Sequence, residues 1–375
     1  MQEIGREILI VGAGVIGLSI ARELSRRGIK RITIIDRGPA GHEATFAAGG
    51  MLAVQAETDE AGDFFELCSA SRDRYPQFAA ELGDETGIDI GLDQAGTLYL
   101  AFTSNDSREI DHRYHWQKNA GLNVERLSAS ETRKLEPFVS PDVREGLIFP
   151  DDWQVENRKL AAALLKFVAL NGIELIEGTE CRRLIVKNGR VIAAETSSGK
   201  VFAQQTIIAA GAWTSMIEAD PVRVPEIRPI RGQIVGFQTA KRFFSHVIYS
   251  PRGYLIPRAD GRILAGATVE DVGFENLMTP AGIEYVRRNA FEIAPSISGL
   301  KIAEEISGLR PKAADALPVI GGFPHVENLI VASGHYRNGI LLAPITADAV
   351  ADIVVGNRVS SLIRSFGVDR TSLSG

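Results

Sequence analysis

Apolar positions in this chain follow two patterns. Short unbroken runs recur at Ile8-Leu9-Ile10-Val11, Ile32-Thr33-Ile34-Ile35, Thr206-Ile207-Ile208-Ala209-Ala210 and Leu329-Ile330-Val331-Ala332. A strand buried on both faces reads this way, and sheets of such strands are parallel and flanked by helices. Elsewhere the period lengthens. Ile16, Ile20 and Leu24 recur every fourth residue, which predicts a helix over 15–27 that Gly28 stops. Helices are also expected over 71–87, over the Ala- and Leu-rich stretch 157–170, and over 339–355. A strand is expected over 96–101 and another over 302–309. Ser128-x-x-Glu131 reads as a capping box before a short helix that Pro137 stops. Asn188-Gly189 and Asp260-Gly261 lie between β-like runs and predict tight hairpins.

The first run enters Gly12-x-Gly14-x-x-Gly17, the predicted helix follows, and the second run closes on Asp36. A pyrophosphate needs backbone N–H donors at close range. Gly12 permits the tight turn, Gly14 removes a side chain that would block the phosphates, and Gly17 lets the helix pack on the strand. Asp36, about 20 residues further on, is placed to accept hydrogen bonds from a ribose. Strand, helix, second strand and terminal acid are in register, which makes this a dinucleotide fingerprint rather than a glycine-rich turn. Arg37 beside Asp36 leaves a 2′-phosphate disfavoured without forbidding it.

Strand–glycine elements return at Ala209-Ala210-Gly211 and Ala332-Ser333-Gly334. The expected fold is therefore α/β, with a discontinuous Rossmann-like domain over about 1–80, 145–225 and 305–375. Residues 81–144 and 226–304 would build a β-rich α+β substrate domain. A long cofactor lying across a discontinuous domain suits FAD better than NAD.

Composition narrows the class. The 375 residues are 45% hydrophobic and 23% charged, with a net charge of −6; two domains are the prior and nucleic acid is disfavoured. Only Cys68 and Cys181 occur, without metal or redox spacing, so a reducing cytoplasmic setting is expected. The first seven residues carry two acids and no small-residue cleavage site follows them, so no signal peptide is expected. No membrane span is expected at the N-terminal apolar stretch, which three glycines interrupt. His112 and His115 read as a solvated helix face, Asp151-Asp152 as a turn or cap, and Trp153 and Trp213 as packing.

The chain resembles the glycine oxidase branch of the D-amino acid oxidase and sarcosine oxidase group of flavoproteins. The residues that carry the resemblance are Val11 to Gly17, Ala44-Thr45-Phe46-Ala47-Ala48-Gly49-Gly50-Met51-Leu52, Ala210-Gly211-Ala212-Trp213, Gly308-Leu309-Arg310-Pro311 and Gly334-His335-Tyr336-Arg337-Asn338-Gly339-Ile340-Leu341. It implies FAD contacts at Val15, Ile16, Asp36, Arg37, Ala44, Thr45, Gly49, Gly50 and Met51, at His335 through Leu341, and at the backbone of Cys181. Gly211 and Gly334 end the two later strands beside the cofactor. The flavin would be non-covalent, since no cysteine follows Cys181. Arg310 becomes the substrate carboxylate clamp, a role that suits a planar fork making two parallel hydrogen bonds. Tyr254 would help to bind the carboxylate or wall the pocket, and Arg337 would lie near the substrate amine. Met51 and Val269 are candidates for setting pocket size. The implied activity is oxidative deamination of a small amino acid with dioxygen as acceptor, with a homo-oligomer and hand-off to a thiazole synthase as further expectations. D-amino acid or sarcosine oxidation, a dehydrogenase, and a non-catalytic flavin-binding module stay open.

Overall fold

The computed structural model describes residues 6–370; the first five residues, on which the signal-peptide reading partly rests, lie outside it. Its centre is a six-stranded sheet in the order Val319–Phe323, Val326–Ser333, Ala203–Ile208, Arg6–Val11, Ile32–Ile35, Glu174–Ile176. All neighbours are parallel except the hairpin between the first two. The unbroken apolar runs are these strands. Leu9, Ile10, Ile34, Ile35, Ile207 and Ile208 are fully buried because helices cover one face of the sheet and the sheet Cys181–Lys187, Arg190–Thr196, Gly199–Val201 covers the other.

The helix Val15–Arg26 buries Ile16, Ile20 and Leu24 on that sheet and against the C-terminal helix Gly339–Gly356. Burying each such side chain stabilises by about 1.5–3 kcal/mol. Helix Gly339–Gly356 is long and apolar enough to cross a membrane, yet Leu341, Leu342, Ala343, Val350 and Ala351 are packed in the core. Helix Asn157–Leu170 has the expected bounds. Helix Asp63–Thr86 starts eight residues before the expected 71, because Leu67 and Cys68 also have core to bury against. Gly87, at φ 69°, ends it. The Ser128 capping box forms and starts helix Ala129–Leu135.

The second layer is an eight-stranded sheet in the order Lys301–Ala313, Ile227–Gln238, Arg262–Gly266, Gly253–Pro257, Val247–Ser250, Thr97–Ala101, Glu145–Phe149, Glu125–Ser128. The segment limits at 145 and 305 need correction. Glu145–Phe149 pairs with Thr97–Ala101, and Lys301–Ala313 pairs along its length with Ile227–Gln238. Both strands therefore belong to the eight-stranded sheet. The Asn188-Gly189 hairpin is tight, with both residues at positive φ. At Asp260-Gly261 the turn is the longer 258–261 loop, closed by Arg258 N–H donating to Arg262 O at 2.8 Å.

Candidate active site

Strand Arg6–Val11 ends at Gly12, where φ is +113° and a Cβ would lie 2.3 Å from the Ala209 carbonyl oxygen. A Cβ on Gly17 would lie 1.9 Å from Gly12 O, so only glycines let helix and strand meet here. Gly14 stands at the N-cap of helix Val15–Arg26 with no side chain to screen the helix amides from the cavity. Asp36 Oδ2 accepts from Ala13 N–H at 2.7 Å and Oδ1 from Gly38 N–H at 2.9 Å. Burial pushes its carboxyl up, and those amides pull it back. Asp36 O accepts from Thr179 N–H at 2.7 Å, which brings Cys181 to this wall. Burial pushes the Cys181 thiol up to about 12, so it is inert there. The Arg37 guanidinium lies 4.7 Å from the centre of the Trp213 ring.

From this end one long cavity runs between the two large sheets, enclosing about 1640 Å³ of open space including its mouth. It is lined by the expected Gly12, Gly14, Val15, Ile16, Asp36, Arg37, Ala44, Thr45, Gly49, Gly50, Met51, Cys181, Gly211, His335, Tyr336, Arg337, Gly339, Ile340, Tyr254 and Arg310. Four expected residues do not line it. Gly17 packs beneath the turn. A Gly334 Cβ would face Ile227, Ala313 and Val319. Asn338 is the N-cap of helix Gly339–Gly356. Leu341 is buried in the core, and its carbonyl accepts from Ser71 Oγ at 2.6 Å.

The segment 44–51 is tied down from behind. Asn157 Nδ2 donates to Thr45 O at 2.8 Å and Phe46 O at 3.0 Å. Arg258 donates to Gly49 O and Val155 O, each at 2.8 Å. Thr45 Oγ1 accepts from Val15 N–H at 2.9 Å, which leaves its hydroxyl hydrogen available to a phosphate oxygen. His335 is buried with Nε2 3.1 Å from Thr346 Oγ1, and burial lowers its pKa to about 3, so it is neutral.

At the other end stand side chains from several elements. Arg310 lies on strand Lys301–Ala313 opposite Ile230, and its guanidinium rests over Gly232, where a Cβ would come within 2.1 Å of it. It donates to Thr268 O at 3.1 Å and has no carboxylate within ion-pair distance among the described residues. Tyr254, on strand Gly253–Pro257, lies over Gly266 in the same way. Burial raises its hydroxyl pKa, against the pull of the Arg310 and Arg337 charges.

Arg337 lines the cavity as expected, but as one half of an ion pair. Its charge is already met: Nη2 donates to Glu57 Oε1 at 2.6 Å and to Tyr249 Oη at 3.2 Å, and Tyr249 Oη donates to Glu57 Oε1 at 3.2 Å. The Glu57 carboxylate holds the Arg337 pKa above the usual range. Glu57 and Tyr249 escaped the sequence reading because nothing in Gln55-Ala56-Glu57-Thr58 marks one acid as buried. Trp213, expected to be packing, lines the cavity; Val269 is 58% exposed and does not. No group of three or more metal-ligating side chains stands together among the described residues.

Backbone amides at a glycine turn, a ribose-height carboxylate and an extended cavity fit FAD: the phosphates at Gly12–Val15 and Thr45, the ribose at Asp36. A dinucleotide cavity ending on a half-buried arginine with no carboxylate partner among the described residues defines a flavin-dependent oxidoreductase. The chain belongs to the FAD dependent oxidoreductase family, whose model matches residues 7–353, and FAD is its cofactor. It is 33% identical over 365 residues to the glycine oxidase of Bacillus licheniformis, covering 97% of each chain. It is 36% identical over 373 residues to the bifunctional protein ThiO/ThiG of Trichormus variabilis, covering 97% of this chain and 55% of that one. The chain thus spans about half the length of such two-function relatives. The crystal structure of glycine oxidase from Geobacillus kaustophilus superimposes with a TM-score of 0.92 at 31% identity, covering 97% and 98% of the two chains.

Proposed function

We propose that the protein oxidatively deaminates glycine, and with it sarcosine and small D-amino acids, to a 2-oxo acid with release of the amine. The observation that carries this reading is Arg310, a cavity-lining guanidinium without a carboxylate partner. A substrate carboxylate completes it with charge-assisted hydrogen bonds of about 1.5–3 kcal/mol each. FAD, when bound, accepts the hydride and is reoxidised by dioxygen to give hydrogen peroxide. The chain's own work is orientation. Arg310 fixes the carboxylate, and the Tyr254 hydroxyl adds a donor beside it. Arg337, neutralised by Glu57, presents no second free cation, which favours a substrate with a single anionic group. The buried aromatic walls exclude water.

The relatives named ThiO/ThiG support a hand-off of product to a thiazole synthase. Cytoplasmic location and a homo-oligomer remain our reading from the sequence. The test is peroxide and ammonia production in air from glycine, sarcosine and D-alanine. Stoichiometric peroxide from glycine is expected. A flavin-loaded protein that turns over none of the three would sink the proposal.

A further inference from the structure

Asp152 is fully buried, and the reaction proposed above makes no use of it. It stands in the loop after strand Glu145–Phe149, just before strand Trp153–Gln154. Its Oδ1 accepts from Gln55 N–H and its Oδ2 from Ala56 N–H, each at 2.8 Å. Those are the free amides of the single turn Val54–Glu57, which receives no side-chain cap from Ala53 before it. A four-residue turn does not hold itself, because nucleation costs more than one hydrogen bond returns. A capping acceptor typically contributes about 1 kcal/mol to such an element, and here it comes from a segment nearly 100 residues away.

The turn ends on Glu57, which lines the cavity and holds Arg337 and Tyr249. Elsewhere the turn's contacts are to amide groups and to the Arg113 guanidinium, which also reaches Gln55 O at 3.4 Å. Gln55 Nε2 donates to Gln117 Oε1 at 2.9 Å, and Arg113 donates to Thr58 O at 2.9 Å. Asp152 thus supplies the anionic contact at the start of a turn whose end neutralises a cavity arginine. The next two residues, Trp153-Gln154, pair with Met51–Leu52, so the same loop also sets the strand that carries Met51 to the cavity wall.

We propose that Asp152 is a positioning residue: by capping Val54–Glu57 it holds Glu57 on Arg337, and so leaves Arg310 as the available anion receptor at the substrate end of the cavity. The proposal rests on reading that end of the cavity as the substrate end. Removing the cap lets Glu57 withdraw and returns a free charge to Arg337.

The test uses FAD-loaded protein at pH 8 and acetate as a minimal carboxylate, with binding read from the flavin difference spectrum. Glu57→Gln should tighten acetate binding about 10-fold, because Arg337 becomes available. Asp152→Asn, which keeps the volume but loses one acceptor, should tighten it several-fold. The double variant should match Glu57→Gln alone, since Asp152 acts through Glu57. A merely structural role would loosen the pocket and weaken acetate. Weaker binding in Asp152→Asn, or effects that add in the double variant, would overturn the proposal. Should Asp152→Asn fail to fold, Asp152→Ser is read the same way. If wild-type protein binds no acetate, the substrate-end reading has failed. Amide exchange then decides the positioning: 10-fold faster exchange at Gln55 and Ala56 in the variant supports it, and unchanged exchange overturns it.

Discussion

At the nucleotide end of the cavity the working groups are mostly backbone: the amides that begin helix Val15–Arg26, the close approach at Gly12, and one carboxylate, Asp36, itself held by two amides. At the substrate end they are side chains on separate elements, with Arg310, Tyr254, Arg337, Tyr249 and Glu57 coming from widely spaced parts of the chain. At Gly12 and Gly17 the first end tolerates no added atom. The second depends on which charges are already paired. Arg310 and Arg337 line the same cavity, yet Arg337 is met by the Glu57 carboxylate, whereas Arg310 meets a carbonyl and the Tyr254 hydroxyl but no carboxylate among the described residues. The contrast teaches that residue type does not settle function here; the pairing state does.

The difference can be pushed hardest at Gly12. Gly12→Ala places a Cβ 2.3 Å from Ala209 O at a φ of +113°, so the expected product is colourless and poorly folded. The flavin-to-protein ratio checks this, and a yellow, stable variant would break the claim that this end is set by backbone approach. At the other end, Arg310→Leu should keep its flavin while losing about 3 kcal/mol of substrate binding, roughly 100-fold in kcat/KM for glycine and mostly in KM. An unchanged KM would remove Arg310 as the clamp.

His335 sits on the wall between the two ends, and its test is acid stability. With a folded pKa of about 3 against an ordinary 6.5, the folded state binds fewer protons than the unfolded state between those values. Stability therefore falls as pH drops through that window, by about 3 kcal/mol near pH 4. His335→Asn should flatten this slope in chemical denaturation; an equal slope would mean that His335 is not held neutral. The smallest effect is expected for Asp36→Asn, which keeps the shape and loses the charge at the ribose. FAD affinity should fall about 10-fold with the glycine KM unchanged, roughly 1.4 kcal/mol. A change in KM instead would blur the two ends.

The same contrast explains what was legible in the sequence. Strand Arg6–Val11, Gly12, Gly14, Gly17 and Asp36 are contiguous, and each has a local reason to be the residue it is. Helix Asn157–Leu170 and the Asn188-Gly189 turn were legible on the same ground, through period and turn chemistry. Arg310 and Tyr254 stood out only through a family resemblance, since an arginine before a proline and a tyrosine in a strand have commoner uses. Glu57 and Tyr249 were invisible because their meaning arises from contacts between segments far apart in the chain; Asp152 was legible as a turn or cap residue, but not the distant segment that it caps. The assignment of Glu145–Phe149 to the eight-stranded sheet failed for the same reason: its pairing partner is chosen in space, not along the chain.

The most direct test of the account is to mix glycine anaerobically with the FAD-loaded protein and follow the visible absorbance of the flavin. The account predicts loss of the oxidised flavin's absorbance in the wild type, and a greatly raised glycine requirement in Arg310→Leu. A wild-type flavin that stays oxidised with glycine, sarcosine and D-alanine alike would contradict it.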